Sequence, residues 1–396
     1  MREARRHWLA SACLALLCLL LPSCGGDGES VEYNSPVVFL SMENREGFER
    51  VEDVREFSFP RDHGGHERTQ IEWWYFTGNL SAKKPAPREL GFELTLFRVG
   101  LAPEEEGARE SKWATRQLYL AHFAVTDVDG ARFFAFERLT REGLGLAGWQ
   151  LEPFRVWNEG WSISAPAGDD IWPMRLQASD RDREVGRVAV DLELTPQKPL
   201  VLQGDRGFSA KGPEPGNASY YLQFPRILAK GSVQIGAEGF EVEGLTWMDH
   251  EWSTSVLSPE LAGWDWFALQ LDDGRDVMVY QLRRRDGSAA AESEGSIVDK
   301  DGRITRLPYG TFELSVTRRW TSPKTGVEYP AGWTLKIPGH DVDLAVTPAL
   351  DDQELRLTTT YWEGAVRVTS AERPLGKGYV ELVGYEPTDD RGGPKN

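Results

Sequence analysis

The chain has 396 residues, 45 Lys and Arg against 62 Asp and Glu, and a formal net charge of −17. That length is enough for two domains with full cores, and the 15 Trp in an 11% aromatic chain argue against general disorder. The acidic balance excludes a nucleic-acid partner, because neutralising phosphates takes clustered Lys and Arg.

Arg2, Arg5 and Arg6 precede an almost unbroken apolar run over residues 8–21. The run is shorter than the ~20 residues that cross a bilayer and fits a secretory signal. It ends in Leu21, Pro22, Ser23 and Cys24, followed by Gly25 and Gly26, the arrangement of a bacterial lipobox. The expectation is cleavage before Cys24 and acylation of that Cys. The product would be a lipid-anchored protein of the cell envelope, facing periplasm or exterior, with the lipid bilayer as its first partner. Gly25 directly after the Cys, where Asp would retain the chain at the inner membrane, favours the outer membrane. An ordinary cleaved signal with an incidental Cys is the plainer alternative. Cys13 and Cys18 fall inside the apolar run, so no disulfide, Cys nucleophile or Cys metal site is expected beyond it. Residues 24–60 read as a tether and lead-in.

Past residue 70 the sequence alternates in short runs broken by Gly, Asp and Pro. Residues 91–97 put Phe92, Leu94 and Leu96 on one face, and residues 117–125 alternate likewise before turning at Asp127 to Gly130. Asp272, Asp273 and Gly274 join 264–271 to 276–283 as a hairpin. Residues 252–261 are the one place where a helical turn or two is expected. An internal echo runs through the chain: 73–80 followed by 91–98 resembles 264–271 followed by 276–283, and 230–235 followed by 240–249 resembles 363–368 followed by 377–385. The echo predicts an all-β protein of two related antiparallel barrels, over residues 61–255 and 256–396.

The densest polar cluster is Trp247, Met248, Asp249, His250, Glu251 and Trp252. As a strand it places Phe240, Val242, Met248, His250 and Trp252 on one face, with Trp247, Asp249 and Glu251 on the other. The first set is expected to line a barrel interior, where His250 is either a satisfied core histidine or an acid–base group in a cavity. Glu72, Trp73, Trp74 and Tyr75 form a second cluster, which either plugs a barrel or lines a pocket for an apolar ligand. His122 shares a face with Leu118, Leu120 and Ala124. Asp265 shares one with Phe267, Leu269 and Leu271, which requires a partner for its charge. Trp264 and Trp266 face the other way, and Tyr280 lies with Met278 and Leu282. No HxxxH or HExxH spacing and no Gly-x-Ser-x-Gly elbow occurs, so neither a metal site nor a serine nucleophile is expected. No cofactor is expected either.

Residues 66–80, with Ile71, Glu72, Trp73, Trp74, Tyr75 and Phe76, resemble the AttH-like proteins. So do residues 117–124, 247–253, 263–267 and 376–382. This family is grouped with the carotenoid 1,2-hydratases (hydroxyneurosporene synthases), and the likeness covers about residues 61–385. It implies two lipocalin-like barrels, in members often described as secreted hydrolases. For the hydratase branch it implies cofactor-free, acid-catalysed addition of water to a terminal isoprenoid double bond. There it implies a His-x-Trp pattern followed by Tyr-x-Asp. His250 and Trp252 match the first; Tyr280 matches the second, but Leu282 stands in place of the acid. Asp265 and Asp249 are the candidate substitutes.

Three functions compete at this stage. The first is an anchored barrel that holds a hydrophobic small molecule, such as a lipid or isoprenoid, with Glu72, Trp73, Trp74, Tyr75, His122, Trp264 and Trp266 as ligand-binding residues. The second is a hydratase-like lyase using His250, Trp252, Tyr280, Asp265 and Asp249. The third, implied by family analogy alone, is an accessory to an ABC-type permease.

Overall fold

In the computed structural model the alternating runs form strands almost throughout, and the residues described are 46–103, 115–168, 170–254 and 257–386. The predicted signal, Cys24 and part of the lead-in lie outside them. The first sheet begins with β1 (Ile71–Lys84), β2 (Arg88–Gly100), β3 (Gln117–Asp127), β4 (Arg132–Arg141), β5 (Ala147–Leu151) and β6 (Phe154–Asn158). It continues with β7 (Trp161–Ser164), β8 (Met174–Asp182), β9 (Gly186–Pro196), β10 (Val201–Leu202), β11 (Phe208–Ala210), β12 (Ala218–Ile235) and β13 (Glu238–Ser253). The second sheet takes β14 (Leu261–Leu271), β15 (Asp276–Arg284), β16 (Glu294–Val298), β17 (Ile304–Leu307) and β18 (Glu313–Thr321). It closes with β19 (Glu328–Ile337), β20 (Val342–Pro348), β21 (Glu354–Arg356), β22 (Thr360–Ser370) and β23 (Arg373–Val383).

The strand order of the first sheet is β4-β3-β2-β1-β13-β12-β9-β8-β7-β6-β5, with β10 and β11 paired to β12. That of the second is β17-β16-β15-β14-β23-β22-β20-β19-β18. Laid side by side, the stretch β2-β1-β13-β12-β9-β8 corresponds to β15-β14-β23-β22-β20-β19, so the echo in the sequence is a repeat of topology. The first sheet curls into a nearly closed barrel: Asn158 on β6 accepts from Thr140 at 2.6 Å and donates to the Tyr119 carbonyl at 3.0 Å, tying β6 to β3 and β4. The second forms a half-barrel. The helical turns expected over 252–261 do not form in the described part of that segment: Trp252 continues β13 and Leu261 opens β14.

Each barrel has a filled interior. Trp74, Phe76, Phe92, Leu94, Phe123, Val190 and Met248 pack in the first, and Phe267, Leu269, Trp333, Leu335, Trp362 and Val380 in the second. Burying each such side chain is worth about 1.5–3 kcal/mol. A third cluster, with Tyr75, Tyr221, Trp247, Trp266, Met278, Tyr280, Leu282 and Tyr379, draws on both sheets. Period-two alternation therefore sends one face of β1, β2, β13, β14, β15, β22 and β23 into a barrel and the other toward the opposite sheet.

The sheets are joined by polar links. Asp276 on β15 receives Arg226 of β12 at 3.0 Å and Lys198 at 2.6 Å, and Gln270 on β14 donates to the Thr246 carbonyl at 3.1 Å. At Gly91 on β2 a Cβ would sit 2.9 Å from Cβ of Ala365 on β22, so the close approach of the two sheets needs glycine there.

Candidate functional site

Between the sheets lies a cavity of about 110 Å³. An apolar cavity of about 150 Å³ takes benzene, so this one encloses about four to five heavy atoms, and the rest of a larger molecule would lie in its mouth. Trp73 and Tyr75 of β1, Leu120 and His122 of β3, Tyr221, Trp264, Trp266, Tyr280 and Leu282 are in its wall. Trp73, Phe97 and Trp264 are only half-buried and mark its mouth, whereas Tyr75, Trp266 and Tyr280 are buried.

Two acids occupy matching places in the repeat. On the first sheet Tyr75 pairs with Asp249; on the second Trp266 pairs with Glu381. In the sequence echo Tyr75 corresponds to Trp266, so Asp249 and Glu381 are counterparts, and both line the cavity. Burial pushes the Asp249 carboxyl up to about 7, against the pull of its three donors. These are Tyr221 Oη at 2.7 Å, Gln223 Nε2 at 3.1 Å and Trp247 Nε1 at 3.0 Å. Tyr221 accepts in turn from Trp266 Nε1 at 3.1 Å. Burial also lifts Glu381 to about 7, opposed by the Trp264 indole N–H that donates to it at 2.9 Å.

Behind Glu381 two more acids meet at the junction of the sheets. Burial raises Glu93 on β2 to about 8, opposed by the Thr95 hydroxyl and helped by Glu381. Burial, with Glu93 and Glu381 beside it, holds Glu363 on β22 well above the ordinary carboxyl range. Carboxyls that crowd one another out of water keep their protons. Glu363 accepts from Tyr75 Oη at 2.5 Å, and the Tyr361 hydroxyl is hydrogen-bonded to it as well.

The far side of the wall carries a cation. Lys211, just past β11, is buried, 3.2 Å from Glu251 of β13. Its ammonium lies 4.3 Å over the Tyr280 ring and 5.2 Å over that of Tyr221. Tyr280 Oη meets Ser209 at 3.0 Å and Glu294 at 3.1 Å. His122 Nδ1 meets Tyr361 Oη at 2.7 Å on the cavity wall, with Glu137 at 3.3 Å from its other nitrogen.

His250 and Trp252 do not reach this cavity. They occupy the opposite face of β13, turned into the first barrel, as do Glu72 and Trp74 on β1. The expected hollow there is filled: the Trp252 ring stacks on His66 at 3.7 Å and the Trp74 ring on His250 at 4.8 Å. Glu72 Oε1 meets His66 Nδ1 at 2.7 Å and His250 Nε2 at 2.9 Å, and its Oε2 accepts from Arg98 Nε at 2.8 Å. Burial pushes Glu72 up, but His66 and Arg98 beside it hold it well below the ordinary range. Ligand-type atoms of His66, Glu72 and His250 lie within 4.8 Å of one another. Arg98 engages the other oxygen, Oε2, and already neutralises that carboxylate, so a divalent cation at Oε1 would add net charge to a buried site. Asp265 is likewise turned away, into the second barrel, with Arg283 at 2.8 Å and Tyr385 at 3.0 Å.

Of the residues singled out in the sequence, the structure thus brings together Trp73, Tyr75, His122, Asp249, Trp264, Trp266 and Tyr280 at one cavity. It sets Glu72, Trp74, His250, Trp252 and Asp265 behind the sheets. Leu282, where the hydratase pattern has its acid, lines the cavity. Sequence reasoning named Glu251 only as a neighbour on the Asp249 face, and it missed Lys211, Tyr221, Tyr361, Glu363 and Glu381. The repeat held a signal for one of them, since its register carries Asp249 onto Glu381.

A family model described as AttH-like matches residues 50–385. The crystal structure of an AttH protein from Nitrosomonas europaea is 32% identical, with a TM-score of 0.73, over 85% of this chain and 100% of that one. Kievitone hydratase from Nectria haematococca shares the fold at 15% identity, TM-score 0.58, over 85% of this chain and 98% of its own. Among curated proteins, dehydratase asqC of Emericella nidulans is 23% identical over 197 residues, 47% of this chain and 52% of that protein. The chain thus spans about half the length of that curated relative. Two sheets of repeated topology, the motifs at β1, β3, β13 and β14, and a family match across nearly all described residues lead to one assignment: the chain belongs to the AttH-like family.

Proposed function

We propose that the cavity takes the apolar end of a small molecule and that the protein is a cofactor-free lyase, adding water to a carbon–carbon double bond or removing it. The observation that carries this reading is the pair Asp249 and Glu381, counterparts in the repeat, both lining one aromatic cavity with carboxyls near neutrality. Groups poised near the working pH are suited to proton transfer in both directions. Asp249, held by three donors, serves as the base; Glu381, with one donor and acids behind it, serves as the acid. In hydration Glu381 gives its proton to one alkene carbon. The water oxygen bonds to the other carbon and its surplus proton passes to Asp249. A proton then returns from Asp249 to Glu381 through solvent, and the two carboxyls are restored. The distant likeness to dehydratase asqC agrees with this reaction class.

Separate incubations with 2-methyl-3-buten-2-ol and with 4-methyl-3-penten-2-one in ¹⁸O-water test the reading, with mass spectrometry following the label in a carbon-bound hydroxyl. Incorporation of ¹⁸O into either compound by the wild type, lowered by about 10²–10⁴ in Glu381→Gln, supports it; incorporation into neither above the protein-free rate sinks it. A carrier that holds its ligand without reaction is the second reading, favoured by the half-buried Trp73 and Trp264 at the mouth, and binding without exchange would establish it. An acylated Cys24 would put such a cavity beside a membrane, where apolar molecules collect.

A further inference from the structure

Among the described residues in the cavity wall, Lys211 is the one Lys or Arg, facing four acids: Asp249, Glu251, Glu363 and Glu381. Burying an ammonium is costly unless it is paired and hydrogen-bonded. Glu251 Oε1, at 3.2 Å, balances the charge. It also accepts from Ser219, which fixes the carboxylate in place. An ammonium has three N–H donors, and Glu251 engages it from one side, with the Tyr280 and Tyr221 rings against others. Ring faces compensate charge but offer no lone pair in the plane of a hydrogen bond.

We infer that Lys211 recognises a carbonyl oxygen, and that the molecule admitted to this cavity is a neutral, apolar compound whose reacting double bond is conjugated to that carbonyl. The pair Lys211–Glu251 carries no net charge, so a carboxylate or phosphate would add an unbalanced anion beside three further acids. A neutral acceptor accepts the N–H without that penalty. A plain hydrocarbon would leave the donor without its acceptor, at about the cost of a lost charged hydrogen bond.

The substrate class rests on the lyase reading and explains how the ammonium helps it. As water's oxygen bonds to the β-carbon, electrons of the double bond move onto the carbonyl oxygen, where Lys211 stabilises the developing enolate. The α-carbon then takes the Glu381 proton, and the proton lost by water goes to Asp249, giving a β-hydroxy ketone with no other reagent. A cation beside the reacting bond would oppose an isolated carbocation, so conjugation to a carbonyl is the chemistry this wall favours.

Two probes differ only at the atom concerned. 4-Methyl-3-penten-2-one is short enough to fill the cavity and reach only its mouth, and 2,4-dimethyl-1,3-pentadiene replaces its carbonyl oxygen with a methylene group. Ligand-observed NMR titration should give the ketone about tenfold tighter binding to the wild type. Lys211→Met should bring the two within about twofold, and Lys211→Arg should restore part of the preference. Infrared spectra of the carbonyl-labelled ketone bound to wild-type protein should show its stretch lowered from its position in alkane solvent, a measurement that needs no variant. Equal binding of both probes, no binding of either, an unshifted carbonyl band, or a preference that survives in Lys211→Met would each overturn the assignment. A ketone preference without ¹⁸O exchange removes the lyase and keeps the carbonyl site; exchange without the preference removes the carbonyl site alone.

Discussion

The Tyr75 hydroxyl on β1 donates to the Glu363 carboxyl on β22 at 2.5 Å, joining residues 288 positions apart in the chain. Both side chains are buried, and Tyr361 is the second hydroxyl hydrogen-bonded to Glu363. Tyr75→Phe leaves a carboxyl oxygen without its donor, at about 1–3 kcal/mol. Removing both polar groups, as in Tyr75→Phe with Glu363→Leu, removes the orphan as well. The double variant should therefore be more stable than the sum of the single effects predicts. Thermal unfolding of the four proteins in the cycle measures this, and strict additivity would show that the contact does not couple the sheets.

The pH dependence of ¹⁸O exchange should be bell-shaped with its maximum near 7, because Asp249 must be ionised and Glu381 protonated in the same molecule. Asp249→Asn and Glu381→Gln should each lower the rate by about 10²–10⁴. Asp249→Asn should remove the limb that rises from acid pH, and Glu381→Gln the limb that falls toward alkaline pH. A profile flat from pH 5 to 9 would take both residues out of the proton transfer.

Stability should fall as the pH rises from 5 to 8. Burial raises Asp249 and Glu381 to about 7, Glu93 to about 8 and Glu363 further still. In this window the folded chain holds protons that the unfolded chain has released, so each pH unit costs about 1.4 kcal/mol per excess proton. Two imidazoles act in the opposite sense, since burial lowers His63 to about 3 and lowers His250 as well. They are outnumbered by the four carboxyls, and their contribution ends near their ordinary value of 6.5. Asp62 and Glu72, both lowered despite burial by the partners around them, matter only below the ordinary carboxyl range. A melting temperature that rises between pH 5 and 8 would contradict the acid cluster. In Asp249→Asn and Glu381→Gln the slope should be shallower.

Alternation in the sequence sorted Trp73 from Trp74, Asp249 from His250 and Trp264 from Asp265 onto their proper faces. It did not say which face had a cavity. For a strand in a single barrel the apolar face is the inner one, and His250 beside Trp252 followed that rule into a packed core. Both faces of β1 and β13 are buried here, one by the barrel and one by the second sheet. Polarity therefore no longer distinguishes inside from outside. Glu93, Glu363 and Glu381 were not legible singly, because an isolated Glu in a strand reads as a solvated position. They become an acid cluster only through the pairing of two sheets far apart in sequence. The repeat was legible because its strands share order, register and aromatic spacing.

Filling the cavity should abolish binding while keeping the fold. Leu282 is buried on its wall, and Leu282→Trp puts an indole into the space a ligand would use. Overpacking costs about 1–3 kcal/mol, which a protein of this size tolerates. The variant should keep its circular dichroism spectrum and lose measurable binding of 4-methyl-3-penten-2-one. Undiminished affinity would place the ligand somewhere other than between the sheets.

The network around Glu72 should prove to hold the fold and not the ligand. Arg98 and Glu72 are both fully buried. The guanidinium spends its remaining donors on Gln117 Oε1 at 2.9 Å and the carbonyls of His66 at 2.8 Å and Thr69 at 2.9 Å. Glu72→Gln leaves that cation in the interior without its counter-charge, at about 3–5 kcal/mol. His250→Ala removes one hydrogen bond to Glu72 and a ring stacked on Trp74, and should cost less than Glu72→Gln while still lowering the melting temperature. In whatever fraction stays folded, affinity for the ketone and the rate at which ¹⁸O enters the hydroxyl of its hydration product should match the wild type, because none of these side chains lines the cavity. A His250→Ala protein with an unchanged melting temperature and a tenfold loss of affinity or rate would reverse that order. It would put the imidazole back among the groups that meet the substrate.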